Sequence, residues 1–213
     1  MPDKNRNCYN NYMEPNYPNE GMRQLLDGYR HFFKGNSPRK GFCALHAEQI
    51  AHTQNPHSMV ISCFDSRVCP EAIFATNDGH ICVHRNMLNQ VDTRDVSMMA
   101  SLQFAVESLR VQNIVVLGHS NCNAVAKLKM LDKLPAAISA WLGGGKYRGD
   151  SYEQAIKNNV LDQLARLREI AFVQQALAQG KLNLEGMVFH IDTGRLERFD
   201  ARQNGWNFVE TEE

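Results

Sequence analysis

The sequence lacks an excess of charge of either sign, a long apolar run and an apolar leader. Its 213 residues include 23 Lys and Arg and 23 Asp and Glu, so the formal net charge is zero. A nucleic-acid-binding protein needs a basic excess to neutralise phosphates, and none is available here. No apolar run approaches the roughly 18 residues of a transmembrane helix, and residues 1–20 contain no apolar segment typical of a secretory signal. We therefore predict a cytoplasmic protein with no nucleic-acid or membrane partner.

Sequence motifs for nucleotide and serine chemistry are also missing. The chain has no Gly-rich phosphate-binding stretch. Gly118-His-Ser-Asn-Cys122 lacks the second glycine of the Gly-x-Ser-x-Gly turn that carries a serine nucleophile. The chain does contain 6 cysteines and 8 histidines. In a cytoplasmic protein of this length, these residues favour thiols or metal ligands over a disulfide framework.

The first twenty residues differ in composition from the rest of the chain. Residues 1–20 are rich in Asn and Pro and have little apolar surface to bury, which predicts an extended or disordered arm. Residues 21–213 are predicted to form a single α/β domain. Apolar residues at helical spacing predict a first helix that begins at Glu20 and ends before Gly35. A second helix is predicted over residues 42–53.

Short apolar runs alternate with helical patterns through the rest of the chain. This alternation predicts a mostly parallel central sheet covered by helices. A segment after Asp192-Thr-Gly194 predicts an antiparallel edge strand at 195–199. The strands predicted before it are 59–63, 81–84, 113–117 and 186–191. The helices predicted between them are 95–109, 123–133 and 151–179, the last of which begins with a Ser151-x-x-Gln154 capping box.

Reactive side chains follow two of the predicted strands. Cys63 ends the first strand, and His119 and Cys122 follow the third. Ligands in α/β sheets bind beyond the carboxyl ends of strands, so these side chains would converge if the two strands are neighbours. Two thiolates and an imidazole suit Zn²⁺, and three protein ligands leave a fourth position for water, which is the catalytic arrangement.

Asp65 and Arg67 lie just beyond the first cysteine. The Asp65 carboxylate could bind the metal or accept a hydrogen bond from a metal-bound water. A bidentate pair with Arg67 favours the second role. Structural explanations remain open for each residue, because a buried cysteine is commonly an inert small apolar group and an Asp–Arg pair commonly braces a loop. His119 could equally be a core histidine.

These residues resemble the paired signatures of the β-class carbonic anhydrases. The signatures are Cys63-Phe-Asp-Ser-Arg-Val68 and Gly118-His-Ser-Asn-Cys122. Further stretches resemble the family in the same order, over about residues 21–200: Gln54-x-Pro56, Val83-His-Arg-Asn86 with Asn89, Leu102-Gln-Phe-Ala-Val106, Leu109-x-Val111, Asn159-Val160 and Asp192-Thr-Gly194-x-Leu196.

The resemblance implies a zinc enzyme that interconverts CO2 and bicarbonate, built as a homodimer or a dimer of dimers. Asp65 and Arg67 would form the catalytic pair beside the reacting water. Gln54 would reach the substrate pocket across the dimer interface, and the helices of residues 21–54 would pack on the partner subunit. The Zn²⁺ ligands that the resemblance implies are Cys63, His119 and Cys122.

The sequence departs from the family pattern at a few positions. Leu88 stands where the family usually has Gly or Ala, and it is predicted to line the substrate pocket. Asn123 replaces a Gly after the second cysteine. Val60 and Ser62 replace the Trp and Gly of a non-catalytic bicarbonate site. Two alternative functions follow: hydrolysis of a CO2-like substrate such as CS2 or COS, because Leu88 changes the pocket, and a catalytically silent zinc-binding regulatory protein.

Overall fold

The computed structural model describes residues 20–33, 51–52 and 54–210. The predicted arm at 1–20 lies outside these residues except for Glu20. The predicted helix at 42–53 lies outside them except for residues 51 and 52. The chain divides into two compact units, Met1–Ala47 and Glu48–Glu213. The predicted division into an arm and a single domain at 21–213 stays a prediction.

Helix α1 (Glu20–Phe33) is the described element of the first unit, and it confirms the helix predicted from the sequence. Ion pairs join side chains three residues apart on its polar side, for example Arg23 with Glu20. Four large apolar side chains of this helix recur at the spacing of one helix face and are exposed. They are Met22, Leu25, Leu26 and Tyr29.

The second unit is built on a six-stranded sheet with the strand order β2-β1-β3-β4-β5-β6. Neighbouring strands are parallel from β2 to β4, and β5 and β6 are antiparallel. The predicted α/β fold with a mostly parallel sheet and an antiparallel edge is therefore confirmed. The strands are β1 (Ser58–Cys63), β2 (Ile81–Asn86), β3 (Asn113–His119), β4 (Asn183–Phe189), β5 (Leu196–Asp200) and β6 (Gly205–Phe208).

Helices connect and cover these strands. Among the described residues, the short helices are α2 (Pro70–Ile73), α4 (Asn123–Lys127) and α5 (Ala136–Leu142), and the longer ones are α3 (Val96–Gln103), α6 (Tyr152–Glu169) and α7 (Ala171–Ala178). The larger core cluster joins one face of the sheet to α3, α6 and α7. A smaller cluster lies on the other face of the sheet, where Ile73 of α2 packs against buried strand residues. Strand β1 is buried at every position, as expected for a parallel strand covered on both sides.

Strand order brings two strand ends together. The chain runs from β1 to β2 on one side and then returns to β3 on the other side of β1, which creates a switch point between β1 and β3. Helix α6 lies close against this part of the sheet. A Cβ at Gly118 would stand 2.7 Å from Val160 Cγ2, so the glycine permits that approach.

Several predicted element boundaries were wrong. The helix predicted at 151–179 is two helices, because Ile170 is extended (φ −83°, ψ 122°) between α6 and α7. The helix predicted at 95–109 is α-helical only to Gln103 and continues as a π-helical turn over Phe104–Ser108. The helical segment predicted at 123–133 is interrupted at Met130. Strand β6 was not predicted. Within the described residues, no helix is both long and apolar enough to cross a bilayer.

Candidate metal centre

The three predicted metal ligands meet at the switch point of the sheet. Cys63 ends β1, His119 ends β3, and Cys122 precedes α4. Each residue is at most 3% exposed. Their ligand atoms all lie within 4.8 Å of one another, and they form the one such group among the described residues. Residues 56 positions apart in the chain are thus brought into a single buried cluster by the parallel pairing of β1 and β3.

The His119 ring has one nitrogen that is paired and one that is not. Nδ1 lies 2.8 Å from the Ser120 carbonyl oxygen. A carbonyl oxygen can only accept a hydrogen bond, so Nδ1 carries the proton and Nε2 presents its lone pair. Nε2 is buried and has no hydrogen-bond partner among the described residues. A buried unpaired acceptor is costly in a protein that binds nothing there, and it suits a metal ligand.

The two cysteine sulfurs lie 3.9 Å apart. Hydrogen bonding from Cys122 lowers the pKa of Cys63 below its usual range. The same contact and burial raise the pKa of Cys122. Backbone N–H groups also lower the pKa of each cysteine, and those that act on Cys63 belong to Asp65 and Leu88. Cys63 is therefore the more acidic thiol of the pair, and a bound cation would favour the thiolate form of both sulfurs.

Arg67 donates three hydrogen bonds to the Asp65 carboxylate. Its Nε donates to Oδ1 at 2.8 Å, its Nη2 donates to Oδ2 at 2.7 Å, and its backbone N–H donates to Oδ1 at 3.0 Å. These bonds hold the pKa of the Asp65 carboxyl far below its usual range. The Asp65 side chain is 12% exposed, and its Oδ2 lies 4.0 Å from His119 Nε2. An ionised carboxylate thus stands at the edge of the ligand cluster.

A second arginine fixes the backbone that carries these groups. Arg85, on β2, donates from Nε to the Cys63 carbonyl at 3.1 Å and from Nη2 to the Asp65 carbonyl at 2.6 Å. Because both carbonyls belong to the segment between the first ligand and the carboxylate, Arg85 sets their relative orientation. Arg85 belongs to the Val83-His-Arg-Asn86 stretch that resembles the family, but no sequence signal predicted this role.

Tyr152 is a further residue at the site that was not predicted from the sequence. Its hydroxyl donates to the Cys122 carbonyl. Burial raises the pKa of Tyr152 to about 12, so the phenol remains a donor at neutral pH. The Ser151 cap, whose hydroxyl accepts from the Gln154 N–H, gave a sequence signal for the start of α6. No sequence signal placed that helix start beside Cys122.

The two residues predicted to bind substrate differ in burial. Gln54 precedes β1 and is exposed. Leu88 has a fully buried side chain, which lies in the same core cluster as Cys63. A Cβ at Gly145 would stand 2.5 Å from Leu88 Cδ2, so that side chain packs against Gly145 in the core. Contact of either residue with substrate stays a prediction.

The donor set fits zinc. Two sulfurs and one imidazole nitrogen are the ligands that Zn²⁺ prefers. The unpaired Nε2 of His119 is directed into a cluster whose other members are the two cysteine sulfurs. Three protein ligands leave one coordination position open, as in catalytic zinc sites.

Comparison with known proteins identifies the family. The sequence model described as "Carbonic anhydrase" matches residues 58–196. A carbonic anhydrase of Pseudomonas aeruginosa is 34% identical over 198 residues, which cover 84% of this chain and 88% of that protein. The solved β-carbonic anhydrase CcaA has a TM-score of 0.79 and 26% identity, and the match covers 91% of this chain and 94% of that chain. This chain belongs to the β-class carbonic anhydrase family.

Other members of the β-class carbonic anhydrases agree with this assignment. Carbonic anhydrase 1 of Escherichia coli O157:H7 is 34% identical over 198 residues, covering 84% of this chain and 89% of that protein. The solved β-carbonic anhydrase of Coccomyxa has a TM-score of 0.75 and 26% identity, and the match covers 84% of this chain and 86% of that chain. The chain is therefore a carbonic anhydrase that hydrates CO2, and its Cys63, His119 and Cys122 form the triad typical of the zinc site of this family.

Proposed function

We propose that Asp65 and Arg67 are the catalytic pair of this carbonic anhydrase, beside a zinc held by Cys63, His119 and Cys122. One observation carries the proposal: a carboxylate gripped on both oxygens by a guanidinium stands 4.0 Å from the unpaired nitrogen of His119. An exposed loop pair would not need an ionised oxygen at the edge of a buried ligand cluster.

Cys63, His119 and Cys122 would hold the zinc, which would supply the Lewis acidity that lowers the pKa of water to about 7. The Asp65 carboxylate accepts a hydrogen bond from the attacking water and so orients its lone pair. Arg67 keeps Asp65 ionised and fixes its plane. The attack joins the water oxygen to the carbon of CO2, and the products are bicarbonate and one proton.

The hydrogen bonds of Asp65 favour a water contact over direct metal ligation. A carboxylate has about four lone-pair positions on its two oxygens. Oδ1 accepts from the N–H and Nε of Arg67, whereas Oδ2 accepts from Nη2 alone. Oδ2 thus retains a lone pair on the side of His119. To bind the metal itself, the carboxylate would have to give up part of this arginine pair.

Substrate contacts are proposed from the partner subunit and from the turn after β2. Gln54 is exposed, so its amide is available to a second copy of the chain, where it would approach CO2 or bicarbonate. Leu88 would act on the pocket from the turn after β2, where its side chain belongs to the same core cluster as Cys63. No observation on the described residues favours CS2 or COS over CO2.

We also propose a homodimer, or a dimer of dimers, in which the helices of residues 21–54 pack on the partner. Leu25 of α1 is 70% exposed and Leu26 is 37% exposed on one helix face. Burying such a face stabilises an assembly by roughly 25 cal/mol for each Å² removed from water. A solved β-carbonic anhydrase of Sordaria macrospora is described as tetrameric.

The proposed compartment is the cytoplasm. Cys63 and Cys122 form no disulfide and would bind zinc as thiolates, a state that a reducing compartment preserves. Cell fractionation, with a cytoplasmic and an organellar marker protein followed together, tests this assignment. Recovery of the protein with the organellar marker would contradict it.

Substitution of Asp65 tests the catalytic pair. Asp65→Asn removes the ionised oxygen while keeping the shape of the side chain. We expect kcat/KM for CO2 hydration to fall about 100-fold, since a positioned acid–base group contributes roughly that much. One zinc per chain should remain bound. Stopped-flow hydration and elemental analysis on the same preparation measure the two quantities.

The chain provides a matched control. Asp92 and Arg94 form the same fork at the same spacing, with Nε at 3.0 Å from Oδ1 and Nη2 at 2.7 Å from Oδ2. This second pair lies before α3 and is not part of the ligand cluster. Asp92→Asn should therefore leave the hydration rate within about twofold of the unaltered protein. A full rate in Asp65→Asn would refute the proposed pair, and an unaltered protein with zinc but no hydration would refute the proposed function.

A further inference from the structure

The ligand loop, residues 119–122, has three successive carbonyl oxygens that each accept from a different side chain. The Ser120 carbonyl accepts from His119 Nδ1 at 2.8 Å. The Asn121 carbonyl accepts from Arg67 Nη2 at 3.0 Å. The Cys122 carbonyl accepts from the Tyr152 hydroxyl. Asn121 has a positive φ of 54°, so this loop cannot continue a regular strand or helix. Side chains therefore donate a hydrogen bond to each of these three carbonyls.

Two of these three donors already belong to the site, because His119 is a ligand and Arg67 belongs to the catalytic pair. Tyr152 has no such role. We propose that Tyr152 is a positioning residue for Cys122: its hydroxyl fixes the carbonyl of that residue and so keeps the sulfur in place for zinc. This inference rests on the proposed zinc ligation.

Helix α6 presents Tyr152 from a rigid position. Tyr152 is the first residue of the helix, directly after the Ser151 cap. Ile156 and Val160 follow at four-residue spacing, so the three side chains lie along one face of the helix. Ile156 and Val160 are buried, and Val160 lies against Gly118 of β3. The element that presents Tyr152 to Cys122 is therefore docked one residue from His119.

The hydroxyl acts on a carbonyl that has one other partner. The Cys122 carbonyl also accepts the Ala126 N–H, at 3.2 Å, in the first turn of α4. Without the tyrosine hydroxyl, only this longer bond would hold the peptide that follows Cys122. Groups that orient metal ligands typically change metal affinity by about 10- to 100-fold when they are removed. We expect the lower end of that range, since the tyrosine acts through the backbone of the ligand and not on its sulfur.

Tyr152→Phe tests the inference, because it removes the hydroxyl and retains the ring. Zinc release from the loaded protein is followed with a chromophoric chelator in excess. We expect the release rate to rise about tenfold. The visible spectrum of the cobalt-substituted protein should also change, because the cysteine–metal geometry becomes less uniform. Tyr147→Phe is the matched control, since the Tyr147 ring lies 4.0 Å from Lys129 Nζ and that contact needs no hydroxyl.

Zinc release from the variants tests the role of Tyr152, whereas zinc binding by the unaltered protein tests the metal centre itself. A tenfold faster release in Tyr152→Phe, with Tyr147→Phe within about twofold of the unaltered protein, supports the positioning role. Equal release rates and identical cobalt spectra in all three proteins would overturn it, even if Tyr152→Phe melts at a lower temperature, because a purely structural tyrosine would lower stability alone. Failure of the unaltered protein to hold zinc would instead refute the proposed metal centre.

Discussion

Leu88 stands in a backbone conformation that leucine rarely adopts. Its φ is 71° and its ψ is 14°, in the left-handed region that costs a non-glycine residue about 1–2 kcal/mol. The side chain is fully buried, and truncating a buried leucine to alanine costs about 2–5 kcal/mol. Burial therefore outweighs backbone strain at this position. The packing of the buried Leu88 side chain therefore stabilises the turn after β2 despite the backbone strain.

This balance predicts an unusual order of stabilities. We expect Leu88→Ala to lower the free energy of unfolding by about 3 kcal/mol, since it loses the packing and keeps the strain. Leu88→Gly should lower it by only about 2 kcal/mol, because glycine adopts this φ freely. Urea unfolding of the zinc-loaded variants measures both values. At Leu164, a buried position within α6, the order should be reversed, since glycine costs about 1 kcal/mol more than alanine inside a helix. A glycine variant at 88 that is less stable than the alanine variant would contradict the argument.

Some residues of the site could be predicted from the sequence and others could not. The ligand set was predictable because Cys63 ends one apolar run and His119 and Cys122 follow another, whose strand ends converge if the strands are neighbours, and because the resemblance to the β-class carbonic anhydrases implies the same three residues. Tyr152 was not predictable. Its sequence position marks a helix start, but its contact with Cys122 depends on how far along β3 helix α6 docks. That docking is a packing property that no local pattern encodes.

Docking of α6 on the sheet depends on glycines in two strands. A Cβ at Gly118 would stand 2.7 Å from Val160 Cγ2, and a Cβ at Gly186 would stand 3.0 Å from Val160 Cγ1. Valine in a helix has one strongly preferred rotamer, so its methyl groups cannot turn aside at low cost. The helix therefore approaches β3 and β4 more closely than larger residues at these positions would permit.

Enlarging one of these glycines should push the helix away. We expect Gly118→Ala to lower the free energy of unfolding by about 2 kcal/mol, the usual cost of an overpacked core. Combining it with Val160→Ala should cost about 1 kcal/mol less than the sum of the two single variants, because the second change removes the clash. Thermal and urea unfolding of the four zinc-loaded proteins give this coupling. Gly205→Ala is the control, since the nearest atom to its added Cβ is 3.8 Å away. Strict additivity of the two changes would contradict the proposed contact.

Elements were predicted best where burial alone determines them. The strands at the centre of the sheet appear in the sequence as short apolar runs because both of their faces are covered. Strand β6 has partly exposed positions and no such run. The helical pattern of 151–179 continues through Ile170, yet the chain bends there so that α6 and α7 can both bury their apolar sides against the core. Tertiary packing overrides the local pattern at that residue.

At the scale of the whole molecule, zero net charge suits the reaction. The substrate CO2 carries no charge, so its approach needs no electrostatic steering. A neutral surface also imposes no long-range repulsion between copies of the chain. Association can then depend on apolar contacts such as those that α1 would provide with Leu25 and Leu26.

The proposed dimer predicts that assembly and activity fail together. Leu25→Asp with Leu26→Asp places two charges on the apolar face of α1, where association would have to bury them without partners. We expect the mass from sedimentation equilibrium to fall to that of one chain. Hydration should fall at least tenfold while zinc stays bound, because the proposed Gln54 contact comes from the partner. Gln24→Asp with His31→Asp adds two carboxylates to the other side of α1 and should change neither quantity. A variant monomer with the full hydration rate would refute the Gln54 contact, and a variant that keeps its mass would refute α1 as the interface.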